Sequence, residues 1–313
     1  MKGLEIAEGY FTEYGLPAIE REHPELMDML AFGLVGSGSE CLGYDDEVSA
    51  DHDFEPGFCI FLPGEDVVDR RSAFLLERTY AKLPKEYMGL KRKIVSPVGG
   101  SRHGVMRTAD FYLEHAGISS EEPDMYGWLK IPSYALREST CGKVFRDIYG
   151  EFSRIRENLL MMPEDIRRKR LSGHLLLMAQ SGQYNYERTL AHGEKGAAAL
   201  AGYEFVRSAM ECVFLLNRSY MPYYKWSFRA LRDLCLPVDM EGWLYRIISE
   251  GNERDEAEEK IGLIGRVCRY VSEELSRQGL SSVPGDDLEK HAYSVNNGIT
   301  DGEIRNLGIL FAV

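Results

Sequence analysis

The chain is poor in cysteine, and the spacing of its cysteines excludes two classes of small protein. Its six cysteines include no Cys-x-x-Cys pair and stand at Cys41, Cys59, Cys141, Cys212, Cys235 and Cys268. A secreted disulfide scaffold is short and dense in cysteine, and a structural zinc site needs closely spaced cysteine or histidine ligands. We therefore expect reduced, mostly buried thiols in a cytoplasmic protein.

Long apolar runs are also missing. No stretch approaches the roughly 20 apolar residues that cross a bilayer, and the first residues, MKGLE, contain no apolar signal core. The pattern G-x-x-x-x-G-K-[ST] of phosphate-binding P-loops does not occur. The sequence thus predicts neither a membrane protein nor a P-loop nucleotide hydrolase.

Basic residues are fewer than acidic residues in this chain. The chain has 37 basic and 50 acidic residues, which gives a net charge of -13. Affinity for long nucleic acid depends on neutralising phosphates, so we do not expect such a partner. The one dense basic run is Arg-Arg-Lys-Arg at residues 167–170, and we expect it to be a solvated helix face.

A Gly-Ser turn followed by paired aspartates is the most informative feature that is present. Gly36-Ser37-Gly38-Ser39 ends an apolar run, and Asp51 and Asp53 lie just ahead of the apolar residues 58–62. Alternate side chains of a strand share a face, so Asp-x-Asp aims two carboxylates at one point. At ~4 Å they repel by roughly 4 kcal/mol at an effective dielectric near 20, which favours Mg²⁺ between them. The small turn suits a phosphate.

These motifs resemble the nucleotidyltransferase superfamily related to DNA polymerase β. A closer likeness is to DUF4037, a family of uncharacterised bacterial proteins grouped with these enzymes. It covers most of the chain: G-S-G-S-E-C-x-G-x-D-D-E-x-S-x-D-H-D-F-x-P-G-F-C at residues 36–59, WLKIP at 128–132, GKVFRD at 142–147, FLLN at 214–217 and YMPYYKW at 220–226.

The resemblance implies a Mg²⁺-dependent transfer of a nucleoside monophosphate from a nucleoside triphosphate to a hydroxyl, with release of pyrophosphate. One or two Mg²⁺ ions would be held by Asp51 and Asp53, and the phosphates by Gly36, Ser37 and Ser39. The superfamily adds a third carboxylate on a neighbouring strand, for which Asp147 is preferred and Asp110 is the alternative. The acceptor could be a small molecule, a protein or an RNA end, and the acidic composition favours a small-molecule or protein acceptor over long nucleic acid.

Further candidates lie in the second half of the chain. Glu194 is a possible general base, with Arg188 or Lys195 on phosphate, as in helical domains of related antibiotic nucleotidyltransferases; salt bridges on a helix surface are the alternative. In the stretch 220–226, Tyr224 could stack on a base and Lys225 could contact the triphosphate. The alternative there is a buried turn between helices.

The fold class that these patterns predict is α+β. A nucleotidyltransferase-like mixed sheet with helices would occupy residues 1–150, with strands at 32–35, 58–62, 105–107 and 143–147. An all-helical bundle would occupy 151–313, with long helices at 164–191, 194–219 and 253–278, and the nucleotide cleft would lie between the two domains. A non-catalytic nucleotide-binding or regulatory protein, for example of toxin–antitoxin type, is the alternative function on the same scaffold.

Overall fold

The computed structural model describes residues 2–47, 55–92, 103–118, 122–236 and 239–313. The chain divides into two compact units. The first unit comprises residues 1–123 and 135–161, and the second comprises 124–134 and 162–313. A small mixed sheet and many helices agree with the predicted α+β class. The sequence predicts a single boundary at residue 150, whereas each unit here is built from two stretches of chain.

The sheet of the first unit is four-stranded in the described residues. The strands in the described part of the chain are β1 (Ala31–Leu34), β2 (Cys59–Leu62), β3 (Glu86–Tyr87), β4 (Leu90–Lys91), β5 (Gly104–Arg107) and β6 (Lys143–Asp147). The order across the sheet is β5-β2-β1-β6. Strand β1 is antiparallel to both β2 and β6, and β2 is parallel to β5. Every residue of β1 and β2 is buried, which explains why both strands appear in the sequence as short continuous apolar runs.

Helices pack on this sheet around an aromatic core. They are Gly3–Tyr10, Leu16–Glu22, Ser39–Leu42, Arg70–Lys82, Thr108–Ala116 and Glu151–Leu160, with a π-helical stretch Phe11–Gly15 and a 3-10 turn Pro24–Leu26. The ring of Phe11 lies 5.0 Å from that of Phe32 and 5.2 Å from that of Phe58. Such tilted and edge-on contacts are the arrangements that aromatic rings prefer, so the core fixes the sheet against these helices.

The second unit is helical in its described part. Its helices are Met125–Lys130, Glu164–Met178, Glu187–Ala191, Lys195–Leu216, Tyr224–Leu231, Met240–Ser249, Arg254–Arg277, Leu288–Asn297 and Gly302–Asn306, with a π-helical stretch Ala179–Tyr186. A further helix, Ser133–Thr140, runs across the division between the units. Where the sequence predicts one α-helix over 164–191, the structure has α-helix, π-helix and α-helix in succession. Across the described ranges, no helix is both long and apolar enough to cross a membrane.

The basic run at residues 167–170 is mostly buried, so the prediction of a solvated helix face is wrong. Lys169 is 0% exposed, and its ammonium donates to Asn296 Oδ1 (2.9 Å) and to the carbonyl of Leu307 (2.7 Å). Arg170 is buried and donates to the carbonyls of Trp128 and Ile131. Charged groups can be buried when most of their donors meet acceptors, although the Nε of Arg170 has no partner among the described residues. The run therefore ties its helix to neighbouring elements of the second unit.

Candidate functional site

The turn after β1 has a backbone that depends on glycine. Gly36 and Gly38 have φ angles of +105° and +136°, in a region that side chains rarely allow. A Cβ atom on Gly36 would lie 3.0 Å from the His115 ring. The turn that the sequence predicts to hold phosphate is therefore present, at the end of a central strand of the sheet.

Ser39 carries the clearest mark of a binding position in this turn. It begins the helix Ser39–Leu42 and is only 4% exposed. Its hydroxyl has no hydrogen-bond partner in the part of the chain that the structure describes. Buried polar groups in folded proteins are nearly always paired, with protein, water or ligand. Of the residues predicted to hold phosphate, Ser39 is thus the one with an unused buried hydroxyl, and Ser37 is half-buried beside it.

A buried thiol and a backbone hydrogen bond hold the turn in place, a feature that the sequence did not reveal. Cys141 Sγ donates to the carbonyl of Gly36 (3.1 Å), and the amide of Gly142 donates to the carbonyl of Cys41 (2.8 Å). A hydrogen bond to Cys141, together with burial, holds the pKa of the Cys41 thiol well above its usual range. Cys41 is therefore neutral at physiological pH, and the cysteines are free, as predicted.

The metal pair predicted from sequence, Asp51 and Asp53, lies outside the described residues. Asp45, in the acidic loop before it, is described. Its carboxylate accepts from the amide of Gly3 (2.8 Å) and lies 3.3 Å from the Lys2 ammonium. This carboxylate thus fixes the first helix. Among the described residues, no group of three or more histidine, cysteine or acidic side chains is arranged to hold a metal ion.

Neither candidate for the third carboxylate is free and buried. Asp147 ends β6 and accepts from the amides of Gly150 (2.7 Å) and Ser153 (2.8 Å), which caps the start of helix Glu151–Leu160. Asp110 is exposed in the first turn of helix Thr108–Ala116. Strand β5 reads Gly-Val-Met-Arg and contributes no carboxylate. The position of a third acid remains a prediction.

The candidates around residue 190 lie on the surface of the second unit. Arg188 donates to the hydroxyl of Tyr184 (2.5 Å), and its guanidinium lies 5.3 Å from that ring. Lys195 pairs with Glu253 at 2.7 Å, as the salt-bridge alternative requires. Glu194 is exposed just before helix Lys195–Leu216. Arg188 and Glu194 are thus accessible to a ligand, whereas Lys195 is held in a salt bridge with Glu253.

The stretch 220–226 divides into a buried and an exposed part. Tyr220 is buried, as the alternative of an inter-helix turn requires, whereas Tyr223, Tyr224 and Lys225 are exposed. Tyr224 is 72% exposed, and its ring lies 4.3 Å from that of Tyr223. The sequence missed Tyr134, whose exposed ring lies 6.1 Å from Tyr223. An accessible group of tyrosines therefore adjoins Lys225.

No curated protein and no solved structure shows significant similarity to the chain. The family model described as "Domain of unknown function (DUF4037)" matches residues 128–227. The matched range contains Tyr134, Arg188, Glu194 and the exposed tyrosines with Lys225. This match confirms the DUF4037 resemblance for the motifs at 128–132, 142–147, 214–217 and 220–226, and the motif at 36–59 lies outside the matched range. Residues 128–227 of the chain are similar to the DUF4037 family.

Proposed function

We propose that the protein is a Mg²⁺-dependent nucleotidyltransferase that moves a nucleoside monophosphate from a nucleoside triphosphate to a hydroxyl of an acceptor. One observation carries this proposal: a glycine turn with positive φ angles at the end of β1 contains the unpaired buried hydroxyl of Ser39. In the sequence this turn precedes Asp51 and Asp53. The mixed sheet and the helical unit are compatible with a nucleotidyltransferase-like domain followed by a helical bundle.

The chemistry of such a site is mainly positioning and charge stabilisation. An acceptor oxygen attacks the α-phosphorus, its proton passes to a base such as Glu194, and the bond to pyrophosphate breaks. Mg²⁺ bound by Asp51 and Asp53 would stabilise the negative charge on the transferred phosphate. Gly36, Ser37 and Ser39 offer small, polar contacts to phosphate, and Arg188, Tyr224 and Lys225 offer accessible contacts to phosphate or base. We propose a cytoplasmic enzyme with a small-molecule or protein acceptor.

Calorimetric titration with ATP and GTP in the presence of Mg²⁺ tests the proposal. We expect Asp51→Asn and Asp53→Asn each to abolish Mg²⁺-dependent triphosphate binding. Both should keep or raise the melting temperature without metal, because one of two repelling charges is removed. Unchanged affinity for metal and nucleotide in both variants would contradict the assignment of these aspartates. Ser37→Val should weaken triphosphate binding by about 1–3 kcal/mol, the range for a hydrogen bond to a charged group.

A non-catalytic nucleotide-binding or regulatory protein on the same scaffold is the second candidate, of which a toxin–antitoxin component is one form. The capping role of the Asp147 carboxylate favours it, since this acid already serves the backbone of the next helix. Pyrophosphate release separates the two candidates. Incubation with labelled nucleoside triphosphates and a cell extract should label an acceptor if the protein is an enzyme, and nothing if it only binds nucleotide.

A further inference from the structure

Arg168 differs from the other members of the basic run. The guanidinium of Arg167 donates to the carbonyl of Leu215 and to Glu164, and Lys169 and Arg170 donate to backbone carbonyls. Arg168 forms one ion pair, from Nε to Glu164 at 3.3 Å, and donates no other side-chain hydrogen bond within the described ranges. Its guanidinium therefore has donors to spare.

These donors border a cavity of about 600 Å³ in the second unit. The cavity is also lined by the serines Ser276, Ser281, Ser282 and Ser294 and by Gly298. No carboxylate belongs to the described lining. A volume of this size is typical of small-molecule sites, which lie within about 300–1,000 Å³. The cavity thus combines one guanidinium with several hydroxyl groups.

The charge around Arg168 is unbalanced in favour of an anion. A single carboxylate, that of Glu164, contacts three guanidinium groups: Arg167 at 2.9 Å, Arg168 at 3.3 Å and Arg218 at 3.3 Å. The next carboxylate, Asp165, accepts from Thr300 and from the amide of Asp301 and also interacts with the charge of Arg168. Three guanidinium groups thus face two carboxylates, and the remaining positive charge favours a bound anion.

Gly298 keeps the guanidinium at the cavity wall. A Cβ atom there would lie 2.5 Å from Arg168 Nη1, although the backbone, with φ near -79°, would accept any residue. The carbonyls at the adjacent helix ends are already used: that of Ser276 accepts from the amide of Gly279, and that of Ser294 from the amide of Gly298. The hydroxyl of Ser294 makes no hydrogen bond within the described part of the chain and is available to a ligand.

We propose that this cavity binds the phosphate group of a small phosphate monoester. Arg168 supplies a charged, two-pronged contact, which suits a phosphate, and the hydroxyls of Ser282 and Ser294 donate to the remaining oxygens. The site lies wholly within the second unit and does not depend on the nucleotidyltransferase proposal.

Calorimetry without Mg²⁺ and with a chelator, using glycerol 2-phosphate and inorganic phosphate as probes, tests this site. We expect saturable binding of glycerol 2-phosphate, tighter than that of inorganic phosphate. Arg168→Gln should weaken the binding at least tenfold because it removes the charge. Gly298→Ala keeps the charge but makes the end of the flexible Arg168 side chain move aside, and should weaken the binding by a smaller factor of about three. Arg254→Gln is the matched control, since Arg254 is exposed and paired with Glu258, and should change affinity less than twofold.

Several outcomes would overturn the proposal. They are a lack of saturable binding at millimolar probe, equal affinities in wild type, Arg168→Gln and Gly298→Ala, and binding of inorganic phosphate alone. A melting curve for each variant shows whether it folds. If Arg168→Gln does not fold, Gly298→Ala decides the question, because the change adds one methyl group at a permissive backbone position. Binding that is lost in Asp51→Asn but kept in Arg168→Gln would place the phosphate at the nucleotide site and also overturn the proposal.

Discussion

The two units of the chain are stabilised in different ways. In the first unit aromatic rings pack on one another, as where Phe61 stacks on Phe152 with centroids 4.0 Å apart. In the second unit a central helix, Glu164–Met178, buries two arginines and a lysine. Ring packing depends on the shapes and relative orientation of apolar groups, whereas a buried cation needs acceptors for its donors. The first unit therefore depends on shape, and the second on specific hydrogen bonds.

The largest effect on stability should come from the buried lysine of the second unit. Lys169→Met removes a charge whose ammonium bonds Asn296 and the carbonyl of Leu307, and leaves these acceptors unpaired. We expect a loss of about 2–6 kcal/mol in the free energy of unfolding, since each of the two buried acceptors left unpaired costs about 1–3 kcal/mol. Chemical denaturation measures it.

An exposed lysine provides the control. Lys290 pairs with Asp287 at 2.8 Å on the surface, and Lys290→Met should leave the free energy of unfolding nearly unchanged. If the two methionine variants are equally stable, the second unit does not depend on its buried cation, and the contrast between the units fails.

The corresponding change in the first unit is Gly142→Ala. Gly142 has φ +77°, and a Cβ atom there would clash with the carbonyl of Leu34 in β1. We expect a loss of about 3 kcal/mol, which combines backbone strain with the clash. Gly150→Ala has nearly the same φ, +78°, and open space around it, so only strain of about 1 kcal/mol should remain. Similar melting temperatures for the two variants would show that the close approach to β1 is unimportant.

A smaller effect is expected from acid. Burial, with the charges of Arg170 and Arg207 nearby, lowers the pKa of His174 to about 3. In the unfolded chain the pKa of His174 is near 6.5, so its imidazole takes up a proton below that pH, whereas in the folded protein it stays neutral. Stability therefore falls as the pH drops below about 6.5. Between pH 7 and pH 5 we expect wild type to lose about 2 kcal/mol more than His174→Gln. Parallel stability curves for the two proteins would contradict the assigned direction.

The smallest effect on stability is expected for Lys225→Met. The lysine is exposed, with its ammonium 5.0 Å from the ring of Trp226, so stability should change by less than about 1 kcal/mol. Triphosphate binding should weaken more than nucleoside binding, because only the charge is removed. Equal loss for both ligands, or no loss for either, would remove Lys225 from the site.

Most of the first unit could be predicted from sequence because its signals are local. The apolar runs at 32–35 and 58–62 predict β1 and β2 to within one residue, since strands buried on both faces are continuous in hydrophobicity. The glycine turn could be predicted from composition. The buried hydroxyl of Ser39 could not, because its isolation depends on what packs around it.

The errors arise where partners are distant in sequence. The basic run at 167–170 is predicted to be solvated because the pattern within a helix shows only local neighbours. The carbonyl acceptors that bury it lie at Trp128, Leu215 and Leu307, far away in the sequence. The helix Gly302–Asn306 was missed because it is short, although Asp301 caps it in the usual way by accepting from the amides of Glu303 and Ile304.

The sheet order has a consequence for how the protein is made. Strand β1 pairs with β6, yet β6 is synthesised more than a hundred residues later. At about 5–20 residues per second, translation leaves that side of β1 without its partner for roughly 6–20 s. An open strand edge is a template for pairing with other chains. A nascent chain that stalls before residue 143 should therefore aggregate or recruit chaperones. A chain released after residue 161 already contains both strands that pair with β1, β2 and β6.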